Sequence, residues 1–430
     1  MSNDDKNDLK KMREQALAKH DQRATEITKW VKDHHGAHTP RVNSYVTGVT
    51  PESVNEIIAA IKQELENGRT EDAHVLLNVM SYLQKYDFIT TDESGIDTPG
   101  FCLAVSEVGI ALRHLRVNPK NAMRYLTYRY KLKTLANRSA LFDFVPILHV
   151  ESTMICNLRC IMCYQSDPKM QNEINSARIK TMPWDLFTKV ADEAAARGCC
   201  AVVFAGRGEP TLNPRFSEML RYCHNKGILD IKFNTNVMTL TEAKVREWLS
   251  LGAFLTIVFS VDAADKETFE KIRIGSDFDR IVSNIEMFNR IRREEFPNSP
   301  IRTRVNMVTF QDDQDSEKAR AFWSPLVDEF SAHNATFEQS GSIYQPDPGG
   351  LPPNVAPDKI CSQLFGHLYI WADGTVNPCE NDYLSHLKLG NIQTESIYDL
   401  WNGPKMMKLR IAHMSGKKNT CYPCNNCTGY

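Results

Sequence analysis

Between residues 146 and 340 the chain alternates short apolar segments with amphipathic ones, and this alternation constrains its fold more than any other feature. We predict strands in six apolar segments: ILHVE, CCAVVFAG, DIKFNTN, FLTIVFSV, IRTRVNMVTF and ATFEQS. Helical patterns such as PWDLFTKVADEAAARG and SEKARAFWSPLVDEF separate or follow them. Six strand–helix units in this order predict a mostly parallel sheet covered by helices, either a partial barrel or a doubly wound sheet.

Two further regions flank this α/β part. Residues 1–145 contain helical patterns, and the capping sequence Thr50-Pro51-Glu52 predicts a helical hairpin over residues 50–86. Residues 344–359 are rich in proline and glycine, which predicts a linker to a short, cysteine-bearing C-terminal region. We therefore expect three domains, at residues 1–145, 146–343 and 344–430.

The composition argues against several classes of protein. A formal net charge of −2 gives no overall attraction to nucleic acid or to an anionic membrane. No apolar run is long enough to span a bilayer, and the polar N-terminus lacks the pattern of a signal peptide. Twelve cysteines in such a chain indicate a reducing, cytoplasmic compartment, where clustered thiols bind metals more often than they form disulfides.

A basic, tyrosine-rich segment over residues 113–139 could indicate RNA binding. The segment contains no recognised nucleic-acid-binding motif, so we interpret it as an amphipathic helix whose arginine and lysine stems cover apolar surface. We expect neither a nucleic acid nor a membrane as a partner. Four isolated cysteines are interpreted as ordinary core or surface residues: Cys102, Cys199, Cys200 and Cys223.

Three cysteines follow the first predicted strand within eight residues, at Cys156, Cys160 and Cys163. A structural zinc site takes four protein ligands, and a disulfide framework takes an even number of cysteines in a small secreted chain. Three thiolates in one loop can instead hold three irons of a cubane iron–sulfur cluster and leave the fourth iron to a small molecule. Unrelated cysteines or a partial zinc site are the alternatives.

The spacing Cys156-x3-Cys160-x2-Cys163, followed by Tyr164, resembles the hallmark of the radical S-adenosylmethionine (radical SAM) family. The resemblance implies a partial (β/α)6 TIM-like barrel and a [4Fe–4S] cluster whose open iron binds S-adenosylmethionine (SAM). It implies that an electron, supplied by a flavodoxin- or ferredoxin-type donor, cleaves SAM to methionine and a 5′-deoxyadenosyl radical. That radical would then abstract a hydrogen atom from the substrate.

Further motifs at the ends of the predicted strands resemble the SAM-binding segments of the same family. The sequence GRGEP resembles its Gly-Gly-Glu-Pro motif, with Arg207 where glycine is common, and implies contacts to the methionine amino group from Gly206, Gly208 and Glu209. The resemblance assigns Asn236 and Ser260 to the ribose or methionine end, Arg273 to the methionine carboxylate and, more weakly, Asn306 to the adenosine side. The alternatives are a plain turn, polar groups that satisfy backbone, and a surface cation.

The C-terminal region has a second cysteine pattern, which resembles the SPASM/twitch domains that follow many radical SAM barrels. Gly374 in ADGTVNP fits a hairpin turn that returns the chain to a cysteine. The resemblance implies one auxiliary [4Fe–4S] cluster bound by Cys361, Cys379, Cys421 and Cys424, with Cys427 as an alternative ligand or a spare. A zinc ribbon is the competing interpretation.

The resemblance covers residues 146–430 and leaves the substrate open. An auxiliary cluster with four cysteine ligands would have no free iron for substrate, so we expect it to transfer electrons and predict a net oxidation or an epimerisation. The resemblance to single-cluster twitch dehydrogenases, and the lack of a strand-rich peptide-recognition pattern in the N-terminal region, favour a small polar metabolite of the sugar or aminocyclitol type as the substrate. Modification of a ribosomally made peptide is the alternative, and a zinc-stabilised binding protein is a remote one. Candidate substrate contacts follow from nearness to the cysteines in sequence: Gln165, Tyr344, Glu380 and Asp382.

Overall fold

The computed structural model describes residues 42–46, 49–68, 72–85, 103, 105–137, 142–309, 314–334 and 360–427. Its strands are β1 (Val42–Val46), β2 (Ile147–Val150), β3 (Arg159–Cys160), β4 (Ala201–Phe204), β5 (Asp230–Thr235), β6 (Leu255–Ser260), β7 (Arg273–Ile274), β8 (Arg302–Thr309), β9 (Glu329–Asn334), β10 (His367–Ile370), β11 (Thr375–Asn377) and β12 (Gly390–Asn391).

The helices precede, separate and follow these strands. They are α1 (Pro51–Glu66), α2 (Ala73–Leu83), α3 (Val105–Val117), α4 (Pro119–Asn137), α5 (Pro168–Ser176), α6 (Trp184–Ala196), α7 (Phe216–Asn225), α8 (Glu242–Ser250), α9 (Lys266–Ile272), α10 (Phe278–Glu295), α11 (Ser316–Trp323), α12 (Gln363–Gly366), α13 (Ile397–Asn402) and α14 (Pro404–Met414). Among the described residues, no helix is long and apolar enough to cross a membrane.

Six parallel strands form the centre of the fold, in the order β9-β8-β6-β5-β4-β2, which confirms the predicted mixed α/β architecture. The outer face of this sheet is apolar. Phe233 of β5, for example, meets Phe216 and Trp248 of the covering helices edge to face, with ring centroids 5.0 and 5.1 Å apart. The opposite, interior face carries many polar side chains, and the carboxyl ends of the strands lie along one edge of the sheet.

The last strand–helix unit differs from the prediction. The helix expected over residues 316–330 ends at Trp323, and a strand occupies Glu329–Asn334. Pro325 lies in a short 3₁₀ turn after the helix, and the following residues pair in register with β8, so their two-residue periodicity prevails over the helical pattern. The predicted strand ATFEQS, residues 335–340, lies outside the described residues.

Both flanking regions add strands to the central sheet. Strand β1 pairs antiparallel with β9, and β10 pairs parallel with β2 from His367 opposite Ile147 to Ile370 opposite Val150. The hairpin β10–β11 and the short β12 then extend the same sheet. The edges of the barrel strands are thereby covered, and the C-terminal cysteine region is joined directly to the strand that precedes the first cysteine loop.

The N-terminal helices cover part of the interior face of the sheet. Helix α1 begins after Thr50, whose hydroxyl caps the backbone N–H of Ser53, so the capping sequence and the hairpin α1–α2 are as predicted. The apolar faces of α1–α4 form one cluster that includes interior-facing residues of β2 and β4: Ile147, Ala201 and Val203. Burial of this apolar surface is what attaches the helices to the barrel.

Candidate functional site

A cavity of about 260 Å³ lies at the carboxyl ends of the central strands. Its lining contains all but one of the residues that the sequence predicted to hold the first cluster or SAM: Cys156, Cys160, Cys163, Tyr164, Gly206, Gly208, Glu209, Asn236, Ser260 and Arg273. Asn306 does not line this cavity; its side-chain oxygen accepts a hydrogen bond from Ser331. Asn381 and Tyr383, from the C-terminal region, complete one wall.

The first cysteine loop is fixed by a small two-stranded ladder. Strand β3 pairs antiparallel with β7, so that Cys160 lies opposite Arg273, and the N–H of Ile161 donates to the carbonyl of Ile272 at 3.0 Å. Burial raises the pKa of the Cys156 and Cys163 thiols to about 12. Buried thiols of this kind become thiolates when a metal or cluster replaces their protons.

Arg273 is buried beside the cysteine loop and has a carboxylate partner that the sequence analysis did not identify. Its guanidinium forms an ion pair with Asp262 at 2.7 Å, and its Nη1 lies 3.9 Å from Cys160 Sγ. Burial raises the pKa of Cys160, and the charge of Arg273 opposes that increase. Arg273 therefore lies where it can stabilise a thiolate, while its Nε has no partner in the described structure.

Glu209 joins the loop after β4 to the end of β5. Its carboxylate accepts hydrogen bonds from the Thr211 hydroxyl at 2.6 Å, the Thr235 hydroxyl at 2.8 Å and the Asn236 N–H at 2.7 Å. Burial raises the pKa of Glu209, whereas these hydrogen bonds favour its ionised form. The carboxylate is thus held in one orientation, with its edge on the cavity.

Gly208 has no room for a side chain. A Cβ there would clash with the carbonyl of Thr153 and would lie 2.6 Å from that of Ile155, in the first cysteine loop. The next residue, Glu209, donates its N–H to the same Ile155 carbonyl at 2.9 Å. Glycine therefore allows the GRGEP loop and the cysteine loop to approach closely enough to form adjacent walls of the cavity.

Arg207, the departure from the family motif, forms a buried ion pair with Glu151 at the end of β2. Its Nε and Nη2 each lie 2.8 Å from a different Glu151 oxygen. The guanidinium also lies over the Trp371 ring at 4.6 Å, and it donates to the Tyr383 carbonyl at 3.2 Å. Arg207 therefore ties the predicted SAM loop to the C-terminal region.

Two functional-site carboxylates were thus missed from sequence, Glu151 and Asp262. A signal existed for both, since each is an acidic residue at the end of an apolar strand segment. Arg207 lies 56 residues after Glu151, and the parallel sheet brings the two together. Arg273 lies shortly after Asp262, and the β3–β7 ladder holds it in place. Two predicted substrate contacts have structural partners: Gln165 Nε2 donates to the Met154 carbonyl, and Asp382 accepts from backbone N–H groups after it. Tyr344 lies outside the described residues.

A second cavity lies in the C-terminal region and is lined by Cys361, Cys379, Cys424 and Cys427, together with Asp382, His413 and Lys418. Cys421 is not part of this lining. Burial raises the pKa of Cys379 and Cys424, the latter to about 12. No three His, Cys, Asp or Glu side chains of the described part converge on a single metal-ion position; the cysteines instead surround two cavities.

Tyr164 and Tyr383, which both line the first cavity, stack on each other with ring centroids 4.8 Å apart. Tyr164 follows Cys163 directly and donates its hydroxyl to the Gly206 carbonyl at 2.5 Å. Tyr383 lies four residues after Cys379 and donates its hydroxyl to Asp167 at 2.5 Å. The stack gives direct van der Waals contact between the two cysteine-bearing segments.

Comparison with known proteins matches both cysteine regions. Residues 150–320 match the radical SAM superfamily, and residues 361–428 match the SPASM iron–sulfur cluster-binding domain. The chain is 26% identical over 329 residues to the tungsten-containing aldehyde ferredoxin oxidoreductase cofactor-modifying protein of Pyrococcus furiosus, covering 65% of this chain and 86% of that protein. It is 27% identical over 225 residues to the mycofactocin maturase MftC of Mycolicibacterium smegmatis, about half of each chain.

Among solved structures, Streptococcus suis SuiB bound to precursor peptide SuiA has the same fold, with a TM-score of 0.51, 15% identity, and coverage of 78% of this chain and 89% of that one.

The two matched family regions contain all the cysteines that line the two cavities. Buried cysteine thiolates are the donors that iron–sulfur clusters take, so the residues present fit a [4Fe–4S] cluster with SAM and an auxiliary iron–sulfur centre. The chain is therefore an enzyme of the radical SAM superfamily with a C-terminal SPASM domain.

Proposed function

We propose that this enzyme abstracts a hydrogen atom from a polar substrate held in the barrel interior, in a net oxidation or a redox-neutral rearrangement such as an epimerisation. One observation carries the proposal: a single cavity contains all the predicted cluster and SAM residues except Asn306, and a loop of the SPASM domain forms one of its walls. We also propose that the domains are residues 1–145, 146–343 and 344–430, with the first supporting the barrel.

Cys156, Cys160 and Cys163 would hold the first cluster. The other residues of the cavity that the sequence predicted for SAM, from Tyr164 to Arg273, would hold SAM. When bound, the cluster and SAM supply a 5′-deoxyadenosyl radical, and the auxiliary cluster supplies a site for an electron. Glu209, fixed by hydrogen-bond donors of Thr211, Thr235 and Asn236, presents a carboxylate edge to an ammonium group. Tyr383 and Asn381 form a wall of the cavity, and this wall would keep water from the reacting atoms.

Gly208→Ala is expected to weaken SAM binding about tenfold or more, because the new methyl group would push the GRGEP loop away from the cysteine loop. The dissociation constant of SAM, measured on anaerobically reconstituted protein, tests this. Gly227→Ala is the matched control, since a Cβ there meets no atom within 4 Å, although its φ of +78° disfavours alanine. Equal affinity in the Gly208→Ala protein and the unmodified protein would contradict the expected role of this contact.

For the auxiliary cluster, the lining of the second cavity supports Cys361, Cys379, Cys424 and Cys427 as ligands, with Cys421 as the spare. This differs from the sequence-based preference for Cys421 over Cys427. Cys427→Ala should therefore lower the iron content and remove one electron paramagnetic resonance signal of the reduced protein, whereas Cys421→Ala should leave both unchanged. The opposite pattern would restore the original assignment.

Two substrate classes fit the site. The interior face of the sheet carries polar and charged side chains at Lys232, Asn234, Arg304 and His149, which favours a small polar metabolite. Peptide or cofactor maturation is the second candidate, and the names of the Pyrococcus and Mycolicibacterium relatives support it at least as well. A flavodoxin- or ferredoxin-type protein is the proposed electron donor.

The proposed function is tested by incubating reconstituted, dithionite-reduced protein with SAM and measuring 5′-deoxyadenosine by mass spectrometry.

To separate the substrate classes, extracts of cells grown in deuterated medium are divided by size into a metabolite and a peptide fraction. The fraction that contains the substrate should transfer deuterium to 5′-deoxyadenosine and increase its mass. Formation of no 5′-deoxyadenosine under any of these conditions would contradict the proposed reaction.

A further inference from the structure

Lys232 faces the barrel interior without a partner. Strand β5 alternates, so that Ile231 and Phe233 lie in the main hydrophobic core while Lys232 and Asn234 face the opposite way. Among the described residues, the Lys232 ammonium makes no hydrogen bond and no ion pair within 4 Å. Lys232 is half-buried, and burying an ammonium group without a counter-ion is unfavourable, so an oxyanion of a ligand would supply the missing charge.

The neighbouring cations already share the nearest carboxylate. On β8, Arg302 and Arg304 both face Glu329, at 2.7 and 3.6 Å respectively. Arg304 also donates to the Ser331 hydroxyl at 2.7 Å. The Glu329 carboxylate thus lies against two guanidinium groups, and in the described structure the Lys232 ammonium is not within 4 Å of it.

The other charges that act on Lys232 do not compensate for its desolvation. Burial lowers the pKa of Lys232, the charge of Arg304 lowers it further, and the carboxylates of Asp230, Glu380 and Glu329 raise it by less. Asp230 lies two residues deeper on the same face of β5 and interacts with Arg129 and Arg302 as well. The interior around Lys232 and Arg304 therefore favours a further negative charge.

Unpartnered polar atoms lie close to the same region. Asn234 Oδ1 and His149 Nδ1 are buried without a hydrogen-bond partner in the described structure. His149 lies in the same row of the sheet as Lys232, because β2 pairs His149 with Val203 and β5 pairs Lys232 with Val203. Its Nε2 is hydrogen-bonded to His367 Nδ1 at 2.9 Å, so that its Nδ1 remains for another group.

We propose that Lys232 and Arg304 form a subsite for an oxyanion group of the substrate, a carboxylate or a phosphate, with Asn234 and His149 as further hydrogen-bonding groups. The proposal rests on the proposed function, since it assumes that the barrel interior holds the substrate. Asn234 lines the SAM cavity, and Lys232 lies two residues deeper on the same strand, about 7 Å away along it. An anion held at Lys232 would leave the attached carbon atoms near the SAM cavity, where hydrogen abstraction would occur.

Binding of small probes to the holoenzyme with SAM tests the subsite. Glutarate, its uncharged analogue glutaramide and inorganic phosphate are titrated by calorimetry into the unmodified protein, Lys232→Met, Lys232→Arg and Lys62→Met. Lys62 lies exposed on α1 and is the matched lysine control. Removal of a charged hydrogen-bond donor in Lys232→Met should weaken binding of the favoured anion about tenfold or more, and Lys232→Arg should retain it. The anion that responds to Lys232→Met identifies the carboxylate or the phosphate as the group recognised.

Equal affinities for glutarate and glutaramide, together with phosphate binding that does not depend on Lys232, would overturn the proposal. Failure of the unmodified protein to bind either anion would also overturn it. Because 5′-deoxyadenosine formation is measured without these probes, its presence would leave the proposed function standing in either case. A misfolded Lys232→Met protein would be recognised by its loss of iron and of SAM binding, and Lys232→Gln then replaces it in the same titration.

Discussion

Replacing Cys156, Cys160 and Cys163 together by alanine is expected to abolish 5′-deoxyadenosine formation completely. The three thiols line one cavity with the predicted SAM-binding residues, and alanine offers no donor to iron. The iron content should fall, and the cluster signal that changes on addition of SAM should disappear from the electron paramagnetic resonance spectrum. The auxiliary centre should survive, since its proposed ligands line a separate cavity.

Cys223→Ala is the matched control for this triple replacement. Cys223 is fully buried in the barrel core, away from both cavities, so its replacement tests the general cost of losing a buried thiol. The control protein should keep its iron content and its 5′-deoxyadenosine formation. Product formed by the triple variant at the rate of the unmodified protein would remove the radical mechanism altogether.

The sequence alone predicted the α/β core because its signals are local. Apolar segments such as DIKFNTN and FLTIVFSV become β5 and β6, and the residues after them reach one edge because parallel strands share it. The site residues from Cys156 to Arg273 gather in one cavity for the same reason. Short-range spacing was therefore sufficient to predict both the cysteine loop and the strand-end motifs.

Features that depend on pairing between distant segments could not be predicted in this way. The strand β9 carries a sequence that continues a helical pattern, and pairing with β8 determines its conformation. The partner of Glu151 depends on which strands are neighbours in the sheet, and that of Arg273 on the β3–β7 ladder. Neither the neighbour relation nor the ladder has a sequence signature. The choice between Cys421 and Cys427 depends on how the last turns fold around the cavity, and equal spacing on either side of Cys424 gives no information about it.

Loss of the Arg207–Glu151 ion pair is expected to have the largest effect on stability. Both side chains are buried, with 8% and 0% of their surface exposed. Arg207→Met removes the guanidinium but keeps the apolar stem, and so leaves the Glu151 carboxylate without its counter-ion. Breaking a buried ion pair in this way costs about 3–5 kcal/mol, because the remaining charge stays desolvated. Urea unfolding under anaerobic conditions, followed by circular dichroism, measures the change.

A matched control exists on the surface, where Arg246 forms a two-point ion pair with Glu295 at 2.8 and 2.9 Å. Solvent screens that pair, so Arg246→Met should leave the unfolding midpoint unchanged. The double variant Glu151→Leu, Arg207→Met removes both charges and should regain only part of the stability that Arg207→Met loses. No desolvated charge remains, but the N–H groups of Arg207 and Ala372 lose the carboxylate that accepts their hydrogen bonds. Arg207 also contacts Trp371 and Tyr383. The single variant Arg207→Met and the double variant should therefore also weaken the attachment of the SPASM domain, which would appear as faster proteolysis within residues 361–427. If Arg207→Met and Arg246→Met proved equally stable, the buried Arg207–Glu151 ion pair would contribute no more to stability than an exposed one.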